Sequence, residues 1–331
     1  MGGIPQLAAK AILKNLKALA AQVPGVRARR GAEPVHDLRV ASRRVRTALK
    51  LLDETVPPGA PHARRDAKRR RRWGRELKRV TTALGVARDT DVQADFVREF
   101  LKKLPAKSRL RPGVERLLLR MGRRRDEEQR KVVKELDRLK RRDVLREIRR
   151  EFQEARARAS APRASDSVGG KPPDGASARA TASGQIARLL RRMLAHERSL
   201  ARPERKKALH EMRIAAKRFR YTMEAVAPLF GARLDPRIRA ARKIQTDLGD
   251  IHDCDVWISR TLPRFLAEER ARALAELKPG IAALLLDRRN QRNAAYRAFL
   301  RFWKKLRRKQ TWEQLRKLLR EARQMGAVEQ V

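Results

Sequence analysis

The chain has 331 residues, with 84 Lys and Arg against 38 Asp and Glu, a formal charge of +46. An excess of that size costs stability through self-repulsion and predicts a polyanionic partner: nucleic acid, inorganic polyphosphate, a phosphoinositide-rich surface or an acidic protein. A single cysteine, Cys254, excludes an intramolecular disulfide, and no run approaches the ~18 apolar residues of a membrane span.

Good helix formers dominate and no alternating Val/Ile/Thr run appears, so the expected class is all-α. The first helix is expected near Pro5–Gln22. Its lysines interrupt the apolar run, so it reads as an amphipathic helix and not a signal peptide, and Gln6 breaks the myristoylation pattern that Gly2 suggests. Further helices are expected near Pro34–Glu54, Ala63–Leu84, Thr90–Leu104 and Gly113–Arg158, with Pro57, Pro58 and Gly59 ending the second. In 160–184, 19 of 25 residues are Ala, Ser, Gly, Pro or Thr, without apolar periodicity. That composition cannot bury enough surface to offset its ordering entropy, so it predicts a flexible linker between 1–159 and 185–331. Beyond it, helices are expected near Gln185–Ala201, Glu204–Leu229, Asp235–Leu248, Cys254–Leu277, Gly280–Lys309 and Trp312–Gln324. The expected chain is soluble and cytoplasmic, without membrane insertion.

Two stretches stand out: HDLRVASRRVRTALK at 36–50 and HEMRIAAKRFRYTME at 210–224. At the helical step of ~100° per residue, His36, Arg39, Arg43, Arg46 and Lys50 fall within one quarter-turn. Leu38, Val45, Leu49 and Leu52 gather opposite. In the second stretch His210, Arg213, Lys217 and Arg220 take the same strip, with Met212, Phe219, Met223 and Val226 opposite. One such strip reads equally well as a solvated face; two at matching spacing point to a binding surface. Arg44 and Arg218 adjoin the strips, and Tyr221 borders the second, either packing or donating a hydrogen bond.

A second pair of segments repeats as well. LGVARDTDV at 84–92 matches LGDIHDCDV at 248–256, and Arg75, Lys78 and Arg79 before the first match Arg239, Arg242 and Lys243 before the second. Gly85 and Gly249 read as helix C-caps, and Asp89 and Asp253 as N-caps or as anchors for a neighbouring Arg. Arg88 and His252 occupy equivalent positions and are donor candidates, whereas His62 and His196 lack counterparts and read as surface residues. Trp257, Trp303 and Trp312 read as core.

These paired segments, in this order, resemble the CHAD family, the conserved histidine α-helical domain. The resemblance extends over roughly 4–324, with the linker as an insertion. It implies two pseudosymmetric helical bundles, from internal duplication, flanking a basic central cavity. It also implies binding of inorganic polyphosphate and association with polyphosphate granules. Some members carry a CYTH triphosphatase; no E-x-E-x-K motif is present, so this chain resembles a stand-alone member. The second strip departs from the first in ending at Glu224 where the first has Lys50.

Physics independently suits such a ligand. Residues at i, i+3, i+7 and i+10 climb a helix by ~4.5–6 Å per contact, a fixed pitch for a polymer with no bases to read. Arginine offers a planar fork and lysine a point charge. Nucleic acid is the first rival. Aromatics are only 4% of the chain and the strips lack Asn or Gln, which leaves non-specific, weak nucleic-acid binding. A metal-dependent phosphohydrolase is the second rival, since His252-Asp253 has Asp247, Asp250 and Asp255 nearby. Its first-half counterpart is Arg88-Asp89, however, and no remote His set completes a metal site. With no phosphate loop or activated nucleophile either, the sequence calls for no metal, no cofactor and no catalysis.

Overall fold

The computed structural model describes residues 4–55, 62–160, 175–269 and 271–328, and among them there is no strand. The chain is all-α. Helix α1 spans Ile4–Arg27, α2 Glu33–Thr55, α3 Ala63–Lys102, α4 Arg111–Arg141, α5 Val144–Ser160, α6 Gly175–Leu194, α7 Lys206–Val226, α8 Asp235–Val256, α9 Leu262–Glu268, α10 Ala271–Arg308 and α11 Thr311–Val328.

Three apolar cores hold these helices. One gathers α1, α2, the first half of α3, the end of α4 and α5 around Trp73, Leu38, Leu84 and Ile148. Another gathers α6, α7, α8, the end of α10 and α11 around Phe219, Phe299, Ile186 and Leu315. The third joins the end of α3, the start of α4, α9 and the start of α10 through Val97, Val114, Trp257, Leu262 and Leu284. Two glycines permit that junction. A Cβ on Gly113 would overlap the carbonyl of Leu277, and one on Gly280 would overlap the carbonyl of Leu110.

Several expected breaks are absent. Helix α3 runs unbroken through Leu84-Gly85, and α8 through Leu248-Gly249. Neither glycine is therefore a C-cap, and neither Asp89 nor Asp253 is an N-cap. The interruption after α8 comes later, in a π-helical turn at Trp257–Thr261. Pro263 follows there and, lacking an N–H, cannot donate the next helical bond. Helix α10 runs through Pro279, where a break was expected, while the single helix expected over Gly113–Arg158 splits at Asp143, whose φ is 50°. Helix α6 begins at Gly175 instead of Gln185, so the C-terminal end of the expected linker is helical. Its Ala178, Ala182 and Ser183 are buried, the small side chains that let α6 lie close against α11. Ser160, the first residue of the expected linker, still belongs to α5, while 161–174 and Pro57–Gly59 lie outside the described residues.

Candidate anion-binding site

The apolar faces of α2 and α7 are buried as the periodicity requires: Leu38, Val45, Leu49 and Leu52 on one, Met212, Phe219, Met223 and Val226 on the other. That orientation fixes where the cationic strips point. On α2, the Ser42 hydroxyl binds the Arg39 carbonyl (2.9 Å) and meets the Thr81 hydroxyl of α3 (3.0 Å). This register brings the Arg39 side chain over Gly85, where an added Cβ would lie 3.4 Å from Arg39 Nε. Gly85 thus leaves a seat for a guanidinium.

Helices α2 and α7 touch, and their strips meet. The Arg43 guanidinium carbon lies 5.7 Å from the centre of the Tyr221 ring, and that of Arg220 lies 4.4 Å from the same centre. One buried aromatic ring therefore takes a cation from each strip. The Nε atoms of Arg39, Arg43, Arg213 and Arg220 are buried and have no hydrogen-bond partner. Lys217 sits among these four. Burial, then repulsion from Arg213, Arg43, Arg39 and Arg220, pushes its ammonium down to about 7. Desolvation likewise lowers Arg43 and Arg213. Half-buried like charges with unused donors are unfavourable alone, and an anion would relieve both defects.

Helices α3 and α8 add the floor. Asp253 is pushed up to about 6 by burial, against the opposing pull of Arg213, and Asp89 is raised for the same reason against Arg39 and Arg213. Both carboxylates keep solvent-accessible surface while protein surrounds them, as in a cleft. Neither carboxylate forms an ion pair with an arginine among the described residues, so both act on Arg39 and Arg213 at longer range. His210 Nδ1 lies 3.2 Å from His252 Nδ1, so one ring donates to the other. Burial first, then Arg213, His210, Lys217 and Arg260, pushes His252 down to about 4. His210 and His36 are lowered too, by burial first, with Arg213 next at His210 and Arg88 next at His36. The histidines are thus held neutral near pH 7.

The family model for the CHAD domain matches residues 10–262. The chain belongs to the CHAD family. The crystal structure of the CHAD domain from the plant Ricinus communis is similar, with a TM-score of 0.63 at 20% identity over 91% of each chain. PptA from Streptomyces chartreusis has a TM-score of 0.56 at 15% identity, over 92% of this chain and 100% of that one. Both likenesses concern the fold. No curated protein matches the chain.

Not every candidate cation of this CHAD chain joins the cluster. His36 is exposed beside Arg88; Arg46 is half-buried and lowered by burial; Arg44, Lys50 and Arg218 are exposed on their helices. Arg75, Lys78 and Arg79 instead line a cavity of about 900 Å³ between α3 and α4. On α8, Arg239 is exposed, Arg242 binds Glu224 (3.1 Å), and Lys243 binds Asp247 (2.8 Å) while lying 5.0 Å from the Phe302 ring. Glu224 also lies 3.8 Å from Arg220, which accounts for its departure from Lys50: it braces cations of α7 and α8. Arg260, beside His252, carried no signal in the sequence because the π turn that places it was not foreseen. Among the described residues no three His, Cys, Asp or Glu side chains converge on a metal site.

Proposed function

We propose that this CHAD chain binds inorganic polyphosphate, without turning it over, in the cluster where the strips of α2 and α7 meet. One observation carries the reading: four arginines of the two strips keep a buried Nε without a hydrogen bond around Lys217, and only Arg220 among them has a carboxylate in ion-pair range. A linear polyphosphate offers oxygens on every unit, so one chain supplies acceptors to Arg39, Arg43, Arg213 and Arg220 in turn. Asp89 and Asp253 offset part of the charge of Arg39 and Arg213 from beyond ion-pair distance. The histidine pair and Lys217 supply further donors once an anion restores their charge.

Tyr221 argues against nucleic acid as the preferred partner. It is the aromatic ring of the cluster, it is buried, and its face is taken by Arg43 and Arg220, which leaves no stacking platform for a base. Binding of this kind suits a cytoplasmic protein that attaches to polyphosphate granules.

The test uses the full chain and its Arg39→Ala/Arg43→Ala/Arg213→Ala variant, titrated with long-chain polyphosphate, duplex DNA and orthophosphate. Polyphosphate should bind tightest per phosphate, and the triple change should weaken it ~10²–10³-fold, a few kcal/mol in all. Equal affinity in the variant would refute the site. Orthophosphate released from polyphosphate, with or without a divalent cation, would refute the non-catalytic part.

A further inference from the structure

The groove between α3 and α4 is lined by none of the cluster's cations, and a second cavity lies between the two. Lys78 and Thr82 of α3 face Lys131 and Lys134 of α4 across about 900 Å³. Three carboxylates also line it, and each is already held. Glu76 binds Arg138 (3.0 Å) and Arg142 (2.9 Å). Glu128 binds Arg124 (2.8 Å) and accepts from the Thr90 hydroxyl (2.7 Å). Glu135 binds Arg79 (3.0 Å). Arg75, Lys78, Lys131 and Lys134 make no ion pair among the described residues. The groove's acidic complement is spent inside the protein, and its lysines face solvent.

Val86 lines this groove and also a second cavity of about 640 Å³. That second cavity reaches Asp89, which lies beside Arg39 and Arg213 of the cluster, and Arg120, Arg124, Arg260 and Arg264 line it with Glu127 and Glu268. Arg120 and Arg264 pair with Glu268 and Arg124 with Glu128, which leaves Arg260 without an ion pair among the described residues. Along α3, Lys78, Thr82, Val86 and Asp89 recur at steps of four, four and three, so they form one rail. From Lys78 to Asp89 the rail rises about 16 Å.

We propose that the α3–α4 groove is a second polyanion subsite, holding the part of a long polyphosphate chain that leaves the cluster past Asp89 and Val86. The inference rests on the polyphosphate reading of the cluster. Exposed lysines with flexible stems make individually weak contacts with phosphates. Their effect appears through tethering: a chain already held by the half-buried arginines presents its next units at high effective concentration. A short chain held in the cluster does not reach the groove and gains nothing. The groove thereby makes the protein select for length.

The experiment compares the full chain with Lys78→Ala/Lys131→Ala/Lys134→Ala. A control, Arg301→Ala/Lys304→Ala/Lys305→Ala, removes the same charge from exposed positions on α10. Each is titrated with tripolyphosphate and with long-chain polyphosphate at one salt concentration, after circular dichroism has verified its helix content. The groove variant should lose about ten-fold in affinity for the long chain and keep its tripolyphosphate affinity; the control should stay within about two-fold for both. Unchanged long-chain affinity in the groove variant overturns the inference, as does an equal loss in the control or on tripolyphosphate. Failure of the parent reading looks different: the unaltered protein then binds neither probe, or binds both without need of Arg39, Arg43 and Arg213, and the groove loses its role with it.

Discussion

Polyphosphate binding by this chain should take up protons, and Lys217 sets the amount on the alkaline side. Its ammonium is pushed down to about 7 by burial and by Arg213, Arg43, Arg39 and Arg220. A phosphate at that position supplies the missing counter-charge and moves the group toward its ordinary value of about 10.4. At pH 8 the amine then carries roughly 0.1 proton before binding and nearly 1 after, an uptake of about 0.9. At pH 6 the same group is already charged and contributes only about 0.1. The sign follows. A group whose pKa rises on binding favours the complex at low pH, so affinity falls as pH climbs through 7 toward 10. Between pH 7 and 9 the full shift amounts to about 50-fold.

On the acid side the uptake passes to other groups. His252 is held at about 4 and Asp253 at about 6, and a neighbouring phosphate favours the protonated form of each. Calorimetric titration in two buffers of different ionisation heat measures the uptake directly. Lys217→Arg keeps the charge at every pH, so it should abolish uptake at pH 8 while leaving that at pH 6. An uptake below about 0.3 proton at pH 8, or one that survives Lys217→Arg, would refute the argument. Long-chain polyphosphate is the right probe, because its internal units do not titrate in this range.

Two further outcomes follow from the glycines. Gly113→Ala or Gly280→Ala forces a methyl into a facing carbonyl at the α4–α10 junction, and each should cost roughly 2–4 kcal/mol in urea unfolding; a change under about 0.5 kcal/mol would mean the helices do not approach so closely. Gly85→Ala should do the opposite. Its methyl meets only the movable Arg39 side chain, at 3.4 Å, and a mid-helix glycine is lost, so stability should rise by about 0.5–1 kcal/mol. The displaced guanidinium should meanwhile weaken polyphosphate binding by a few-fold. Loss of stability at Gly85→Ala would show that the position needs glycine for its backbone.

The cationic strips were legible in the sequence because a helix has one period, and Leu38, Val45, Met212 and Phe219 announce its buried side. The breaks were misread for a related reason. A glycine after leucine has the local chemistry of a C-cap, yet at Gly85 the absent side chain serves Arg39 from another helix. Gly249 has nothing within 4 Å of an added Cβ, and its glycine has no structural explanation. By composition Ala178, Ala182 and Ser183 belong to a linker, although small residues also mark places where two helices lie close. Contacts between helices left no trace at all: His210 and His252 were each singled out, but only the packing of α7 on α8 puts their nitrogens 3.2 Å apart.

Why the fold tolerates its own site follows from where the cores lie. Arg39, Arg43, Arg213, Lys217 and Arg220 repel one another, and no carboxylate pairs closely enough with the first four to cancel that. A single helix pair in water would splay apart to let the side chains hydrate. Here α2 and α7 are each pinned by a separate apolar core on the face away from the cluster, and Ser42–Thr81 fixes α2 on α3. The side chains cannot retreat, because Arg39 is seated on Gly85 and the ring of Tyr221 takes both Arg43 and Arg220. Stability drawn from the cores thus holds the donors in a geometry that water alone would not favour, and an anion bound there, as proposed, would return that free energy.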